Sequence, residues 1–142
     1  MKKKLRSILL IDDHTPTNYL HEMLLKEAKC AHQIVTTYSS DKALDFFRYL
    51  QLQKRSFPEL VFLDINMPGW DGLDFLEMVT TFFPEIKTNT KIVVLTSDED
   101  PNKHRQLRDN QLIMTIKSKP LTEDIIENVL QQYFNQNHHS IV

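Results

Sequence analysis

The chain has 142 residues, of which 41% are hydrophobic and 25% are charged, and these proportions are typical of one soluble globular domain with a single core. The formal net charge is −2 and the Lys and Arg residues are scattered, which argues against a basic face that binds nucleic acid. Cys30 is the only cysteine, so an internal disulfide and a cysteine-based zinc site are both excluded, and we expect its thiol to pack as a small hydrophobic group.

The N-terminus carries lysines followed by an apolar run, which is how an export signal begins. The run covers only residues 8–11 and stops at Asp12 and Asp13, so it is too short for the apolar segment of a signal peptide. No other stretch approaches the roughly 20 apolar residues that a membrane span needs. We therefore expect a cytoplasmic protein with no membrane partner.

Five short runs rich in β-branched residues and leucine alternate with longer segments of helical periodicity. They cover residues 7–12, 32–38, 60–64, 91–96 and 112–117. Such alternation is typical of βαβ units and predicts an α/β fold with a parallel sheet. The first, third and fourth runs are almost purely apolar, which suits strands covered on both faces, so we expect them at the centre of the sheet.

The first two helices are predicted from their N-terminal signals and their periodicity. Thr15 is a candidate N-cap with Pro16 at the first helical position, and Ser40 is the candidate cap of the second helix. The residues at successive turns are Leu20, Met23, Leu24 and Glu27 in the first helix and Ala43, Phe46, Phe47 and Leu50 in the second.

Three more helical segments follow the third, fourth and fifth strands. The first runs from Gly72 to about residue 83, the second covers 101–110, and the last begins near Thr122. Because Leu107 is the only strong hydrophobic residue of segment 101–110, we predict that this helix is the least stable element. The predicted inward residues of the other two are Leu73, Leu76, Val79 and Phe83, and Ile125, Ile126, Val129, Leu130 and Phe134.

Polar side chains follow the carboxyl ends of four predicted strands. They are Asp12 and Asp13 after the first, Asp64 after the third, Thr96 and Ser97 after the fourth, and Lys119 after the fifth. In an open parallel sheet, ligands bind outside these ends, where the winding direction reverses. We therefore expect three carboxylates, hydroxyl groups and one ammonium to meet at one edge.

Three carboxylates at one edge repel one another unless a cation compensates them. Mg2+ suits this set because it is a hard ion that takes one or two carboxylates and completes its shell with water and phosphate oxygens. Lys119 can hold the other side of a phosphate, and Thr96 can donate a hydrogen bond to it. The set predicts a phosphoryl group on Asp64, which would act as a carboxylate nucleophile. His14, which follows Asp13, is expected to be an exposed loop residue.

Both glycines of the chain, Gly69 and Gly72, fall in the segment directly after Asp64. Glycine is required where the backbone turns sharply or takes a positive φ. We therefore predict a tight loop that shapes the site.

Together these motifs resemble the signature of the receiver domains of two-component response regulators. The matching residues are Asp12-Asp13, Asp64-Ile65-Asn66-Met67-Pro68-Gly69-Trp70-Asp71-Gly72, Thr96 and Lys119-Pro120. The resemblance covers about residues 4–134. It implies a flavodoxin-like (βα)5 fold, with a doubly wound parallel sheet of five strands in the order 2-1-3-4-5, as in stand-alone, chemotaxis-type regulators.

The resemblance also implies a chemistry. Asp64 would accept its phosphoryl group from a phosphohistidine of a sensor kinase or a histidine phosphotransfer protein. Asp12 or Asp13 would act on Mg2+ directly or through water, beside Asp64, and the main-chain carbonyl of Asn66 would be a further ligand.

The resemblance assigns roles to two more residues. Thr96 would be the switch hydroxyl, and Lys119 would pair first with Asp64 and then with the phosphate. The Lys119–Pro120 peptide bond is often cis in this family.

The expected organisation is a single receiver domain over 1–142, with a core at about 4–136, a short tail at 137–142 and no output domain. A signal would then pass by phosphorylation-dependent binding of an unknown downstream protein or by phosphorelay. Self-phosphorylation and autodephosphorylation would be its only catalysis.

Three positions depart from the family pattern. Position 116 usually carries an aromatic switch residue and here holds Ile116, and the small pair common before the fifth strand is replaced at 112–114. Ser97 stands where alanine is frequent and adds a hydroxyl beside the site.

Three alternatives are less well supported by the residues. A phosphatase of the haloacid dehalogenase type needs an aspartate two residues after its nucleophile, where this chain has His14 or Asn66. A flavin-binding flavodoxin needs a Ser/Thr/Gly-rich phosphate loop, and segment 14–18 has no glycine. A receiver fold that only binds proteins is disfavoured by the intact set of site residues.

Overall fold

A computed structural model of the chain describes residues 3–67, 72–97 and 99–138, leaving aside the side chains of 137 and 138. The predicted loop at Gly69 and Trp70 and the end of the predicted tail therefore lie outside the described residues. Within the described ranges, no helix is both long and apolar enough to cross a membrane.

Strands and helices alternate along the chain as predicted. The elements are β1 (Leu5–Ile11), α1 (Thr15–Ala28), β2 (Ala31–Thr37), α2 (Ser40–Leu52), β3 (Leu60–Asp64), α3 (Gly72–Phe82), α4 (Ile86–Asn89), β4 (Lys91–Thr96), α5 (Pro101–Arg108), β5 (Ile113–Ser118) and α6 (Glu123–His138). The strands pair in parallel in the order β2-β1-β3-β4-β5, which confirms the predicted topology and places the three apolar strands in the interior.

The parallel register brings the carboxyl ends of the strands to one edge of the sheet. Asp64 ends β3 opposite Leu95 of β4, and Thr96 ends β4 opposite Ser118 of β5. Asp12 directly follows β1. The predicted limits of β3 and β4 are confirmed, whereas those of β1, β2 and β5 differ by one or two residues, because pairing with the neighbouring strand decides where a strand ends.

Hydrophobic side chains cover both faces of the sheet. Helices α2, α3 and α5 contribute to the core on one face, and α1 and α6 contribute to the core on the other. Cys30 is buried in the second core, as expected. The main helical contributors are Phe47, Phe75, Val79 and Leu107 on the first face and Leu25, Ile126, Val129 and Tyr133 on the second.

An aromatic cluster fills the first core. The ring centroid of Phe47 lies 5.1 Å from that of Phe57 and 6.0 Å from that of Phe83, and the last two rings are 6.2 Å apart. The Phe47–Phe57 and Phe57–Phe83 pairs are edge-to-face, which adds stability beyond burial of area, so Phe57 links α2 to the residue that follows α3.

Helix α1 differs from its prediction at the cap. Its N-cap is His14 rather than Thr15, and the His14 side chain accepts a hydrogen bond from the Thr17 N–H. Thr15 is therefore the first helical residue. His14 is exposed, as expected, but it has this local structural role.

The periodic pattern predicted for α1 is buried only in part, because Leu24 packs against the second core whereas Glu27 is exposed. Leu20 and Met23 are 47% and 42% exposed, and the buried face consists of Asn18, His21 and Leu25. The physical reason is that backbone groups next to this face need hydrogen-bond partners, which leucine and methionine cannot supply. Helical periodicity alone does not reveal that requirement.

Smaller differences occur at other helices. Ser39, not Ser40, caps α2 by accepting from the Lys42 N–H at 3.1 Å. The four-residue helix α4 was not predicted because it is too short for a periodic pattern. Helix α5 ends two residues before its predicted limit, where Asn110 accepts from the Leu112 N–H and turns the chain into β5.

Candidate functional site

The predicted polar residues meet at the carboxyl edge of the sheet. Asp12, Asp64 and Thr96 are buried there, Lys119 is half-buried, and Asp13 is exposed. One carboxylate oxygen from each of the three aspartates lies within 4.8 Å of the others. The cluster thus has two inner carboxylates and one that opens to solvent.

Lys119 bridges the two buried carboxylates. Its Nζ lies 2.9 Å from Asp12 Oδ2 and 3.1 Å from Asp64 Oδ2. Burial lowers the pKa of Lys119, but the hydrogen bond and charge of Asp12 together with the charge of Asp64 outweigh this effect and raise the pKa above its usual value. The side chain is therefore an ammonium.

Asp64 responds differently to the same surroundings. Burial raises the pKa of its carboxyl group, the Asn66 N–H opposes this effect, and the charge of Asp12 adds to it. Lys119 lowers the pKa of Asp64 but does not offset burial and Asp12 together. Burial is therefore the main reason that the pKa of Asp64 lies above its usual value.

The charges show what would complete the cluster. Three carboxylates and one ammonium sum to −2, which is the charge that one divalent cation neutralises. All the cluster's ligand atoms are hard carboxylate oxygens, which suit Mg2+. The residues therefore fit the predicted ion.

Backbone amides orient both buried carboxylates. His14 N–H donates to Asp12 Oδ1 and Asn66 N–H donates to Asp64 Oδ1, each at 2.9 Å. In both cases the donor lies two residues after the acceptor, and Oδ2 is left to face Lys119. This shared arrangement holds the two carboxylates in fixed orientations.

The Thr96 hydroxyl is connected to the same residues. Asn66 Nδ2 donates to Thr96 Oγ1 at 3.2 Å and lies 3.5 Å from Ser97 Oγ. The Lys119 N–H donates to the Thr96 carbonyl at 3.1 Å, and the Lys119–Pro120 peptide bond is cis, as expected. Ile116 is half-buried on β5 and packs against the first core.

Gly72 has a steric role beside the site. A Cβ at this position would lie 2.5 Å from Ile65 Cγ2, so a larger residue would collide with a buried side chain directly after Asp64. Gly72 thus meets a steric requirement rather than that of a turn, and the predicted tight loop lies outside the described residues.

Two residues of α1 that were not predicted support the site. Asn18 Nδ2 donates to the carbonyls of Asp12 and Thr37 at 3.1 and 3.0 Å. His21 Nε2 accepts from the Leu121 N–H at 3.1 Å. Their spacing with Leu25, i, i+3 and i+7, is a helical face and was the signal that could have revealed them.

These features define a parallel α/β protein with a cluster of three aspartates and a lysine at one sheet edge. The chain belongs to the response regulator receiver domain family, whose model matches residues 8–131. Receiver domains use Mg2+ at an acidic pocket of this kind.

Individual relatives agree with this assignment. The chain is similar to the two-component response regulator ARR22 of Arabidopsis thaliana, with 29% identity over 135 residues that cover 95% of this chain and 88% of that protein. It is 30% identical over 94 residues to the response regulator ARR12 of the same plant, covering 66% of this chain but only 14% of ARR12.

A solved structure agrees as well. The crystal structure of a two-component response regulator from Cytophaga hutchinsonii superposes with a TM-score of 0.85 and 26% sequence identity, covering 94% of this chain and 99% of that one. The predicted family and fold are therefore confirmed.

Proposed function

We propose that this receiver domain accepts a phosphoryl group on Asp64 from a phosphohistidine of a sensor histidine kinase or histidine phosphotransfer protein. The main support is the Lys119 ammonium, which lies 2.9 Å from Asp12 and 3.1 Å from Asp64. A cation that bridges a nucleophile and its neighbour suits the task of holding phosphoryl oxygens.

In the proposed reaction an oxygen of Asp64 attacks phosphorus and an O–P bond forms while the P–N bond to the donor imidazole breaks. The electron pair of the broken bond returns to the imidazole, which leaves as the neutral ring when its other nitrogen carries a proton. Hydrogen bonding from Asn66 N–H fixes the Asp64 carboxylate during this step.

Asp12, Asp13 and Asp64 would hold Mg2+ through their carboxylates, together with the main-chain carbonyl of Asn66. The ion, when bound, supplies positive charge that offsets the charge of the phosphoryl oxygens. Lys119 would turn from the carboxylates toward the phosphate, and Thr96 would donate its hydroxyl hydrogen bond to the same group.

The proposed output is a change in protein binding or the onward transfer of the phosphoryl group to a second histidine. We propose that the chain acts in the cytoplasm as a single receiver domain, without direct contact with nucleic acid. The small net charge of −2 and the scattered cations support the last point.

Incubation with a small phosphodonor and Mg2+, followed by intact mass measurement, tests the proposal. Wild type should gain a single acid-labile phosphoryl group, and Asp64→Asn should gain none. Asp45→Asn, a matched change at an exposed position of α2, should be labelled like wild type.

Label on Asp12 or Asp13 in the wild-type chain would overturn the assignment of Asp64. A folded wild-type chain that gains no label from any donor would favour a receiver that only binds proteins. Sustained hydrolysis of a phosphate ester would instead indicate an enzyme.

A further inference from the structure

Helix α1 buries two polar side chains against the sheet. Asn18 is 0% exposed and His21 is 1% exposed, whereas the large apolar residues Leu20 and Met23 point outward. Burying a polar side chain is unfavourable unless it makes hydrogen bonds. Asn18 and His21 therefore need hydrogen-bond partners in the backbone that surrounds them.

Both side chains make hydrogen bonds to backbone groups in or next to the site. Asn18 donates to the carbonyl of Asp12, and His21 accepts from the N–H of Leu121, two residues after Lys119. Leu121 is itself buried, so its N–H has no access to water and depends on this acceptor. One helix thus contacts the segments that carry a carboxylate of the cluster and its lysine.

The hydrogen bond defines the state of the imidazole. Nε2 must carry a lone pair to accept from Leu121, which requires a neutral ring with its proton on Nδ1. Burial lowers the pKa of His21, the charge of Asp12 opposes this, and the charge of Lys119 adds to it. The neutral ring is therefore the form that the surroundings favour.

The position of Lys119 requires such support. A lysine side chain is long and flexible, yet its Nζ lies within 3.1 Å of two different carboxylates. The backbone around Lys119 is held from two sides, because the Lys119 N–H donates to the Thr96 carbonyl and the Leu121 N–H donates to His21, 100 residues away in sequence.

We propose that His21 is a positioning residue for Lys119, which fixes the segment 119–121 so that the ammonium reaches Asp12 and Asp64. Asn18 holds the Asp12 backbone from the same helix. This inference rests on the proposed function of Asp64, because its consequence is the rate at which Asp64 becomes phosphorylated.

Two substitutions test the role of the imidazole acceptor. His21→Leu fills much of the same space without an acceptor and should slow phosphorylation by a small phosphodonor by on the order of tenfold or more. His21→Gln offers an amide oxygen at a similar reach and should restore most of the lost rate. His32→Leu changes an exposed histidine and should match wild type.

A double-mutant comparison separates positioning from general damage. In a Lys119→Ala background there is no ammonium to position, so His21→Leu should cause little further loss of rate. An equal loss in both backgrounds would overturn the proposal, and so would a failure of His21→Gln to improve on His21→Leu.

Failure of a variant to fold and failure of the proposed function can be told apart from failure of the role of His21. Should His21→Leu not fold, His21→Asn takes its place as a polar residue too short to reach Leu121, and the same comparison with His21→Gln applies. If wild type gains no phosphoryl group, the proposed function itself fails. If wild type is labelled and His21→Leu is labelled equally fast, only the role of His21 is wrong.

Discussion

At the scale of single residues, the site is organised around equivalent contacts to two carboxylates. Asp12 and Asp64 each receive a backbone N–H on one oxygen and share Lys119 on the other. Asp13 has no equal part in this arrangement, because it is exposed at the open side of the cluster. It adds a third carboxylate to a cluster that contains a single ammonium group, that of Lys119.

This surplus charge predicts the behaviour of Asp13→Asn. In the presence of a chelator the variant should have a higher Tm than wild type, because one repulsive charge is removed. Added Mg2+ should raise the Tm of wild type more than that of the variant, since a ligand that binds only the folded state stabilises it. Thermal unfolding with and without Mg2+ measures both effects.

Asp45→Asn is the control and should keep the full response to Mg2+. An Asp13→Asn protein that gains as much stability from Mg2+ as wild type would remove Asp13 from the metal site.

At the scale of elements, most of the architecture could be predicted because strands and helices differ in the period of their hydrophobic residues. The order of the strands came from the family resemblance, and their carboxyl ends gave the main polar residues of the site. The spacing of Asn18, His21 and Leu25 marks one helical face, but the sequence does not show that this face is buried, since the Leu121 N–H that donates to His21 lies 100 residues away. Periodicity shows which residues share a face but not what that face contacts.

Helix α5 has little apolar anchoring, since Leu107 is its only buried residue. We predict that a beryllium fluoride phosphate mimic changes amide hydrogen exchange in residues 99–108. The physical source is a new hydrogen bond from Thr96 that favours one of two positions of this segment. Thr96→Ala should abolish the change.

Ile116→Val is the matched control, because the Ile116 side chain packs against the first core and valine keeps its β-branched shape. The interpretation would be contradicted by a persistent exchange response in Thr96→Ala, or by its loss in Ile116→Val.

At the scale of the whole molecule, one sheet separates two hydrophobic cores, and stability depends on both. The aromatic cluster of the first core makes Phe47 a sensitive position, because its ring is 0% exposed and contacts the rings of Phe46, Phe57 and Phe83. We predict that Phe47→Ala lowers the free energy of unfolding by about 3–5 kcal/mol. Urea unfolding followed by circular dichroism gives the value.

Phe82→Ala is the control, because it makes the same substitution at a ring that is 55% exposed at the end of α3. Its effect should stay within about 0.5 kcal/mol. Similar losses for the two variants would mean that the first core does not depend on the Phe47 ring.

The buried thiol in the second core allows the opening of that core to be followed by its rate of chemical modification. Cys30 is the only cysteine, its exposure is 4%, and burial raises the pKa of its thiol, so a thiol-specific reagent can react only when the core opens. If that opening is global unfolding, saturating Mg2+ should slow the reaction in proportion to the stability that it adds. Equal rates with and without Mg2+ would instead show that the end of α1 opens by itself while the site stays intact.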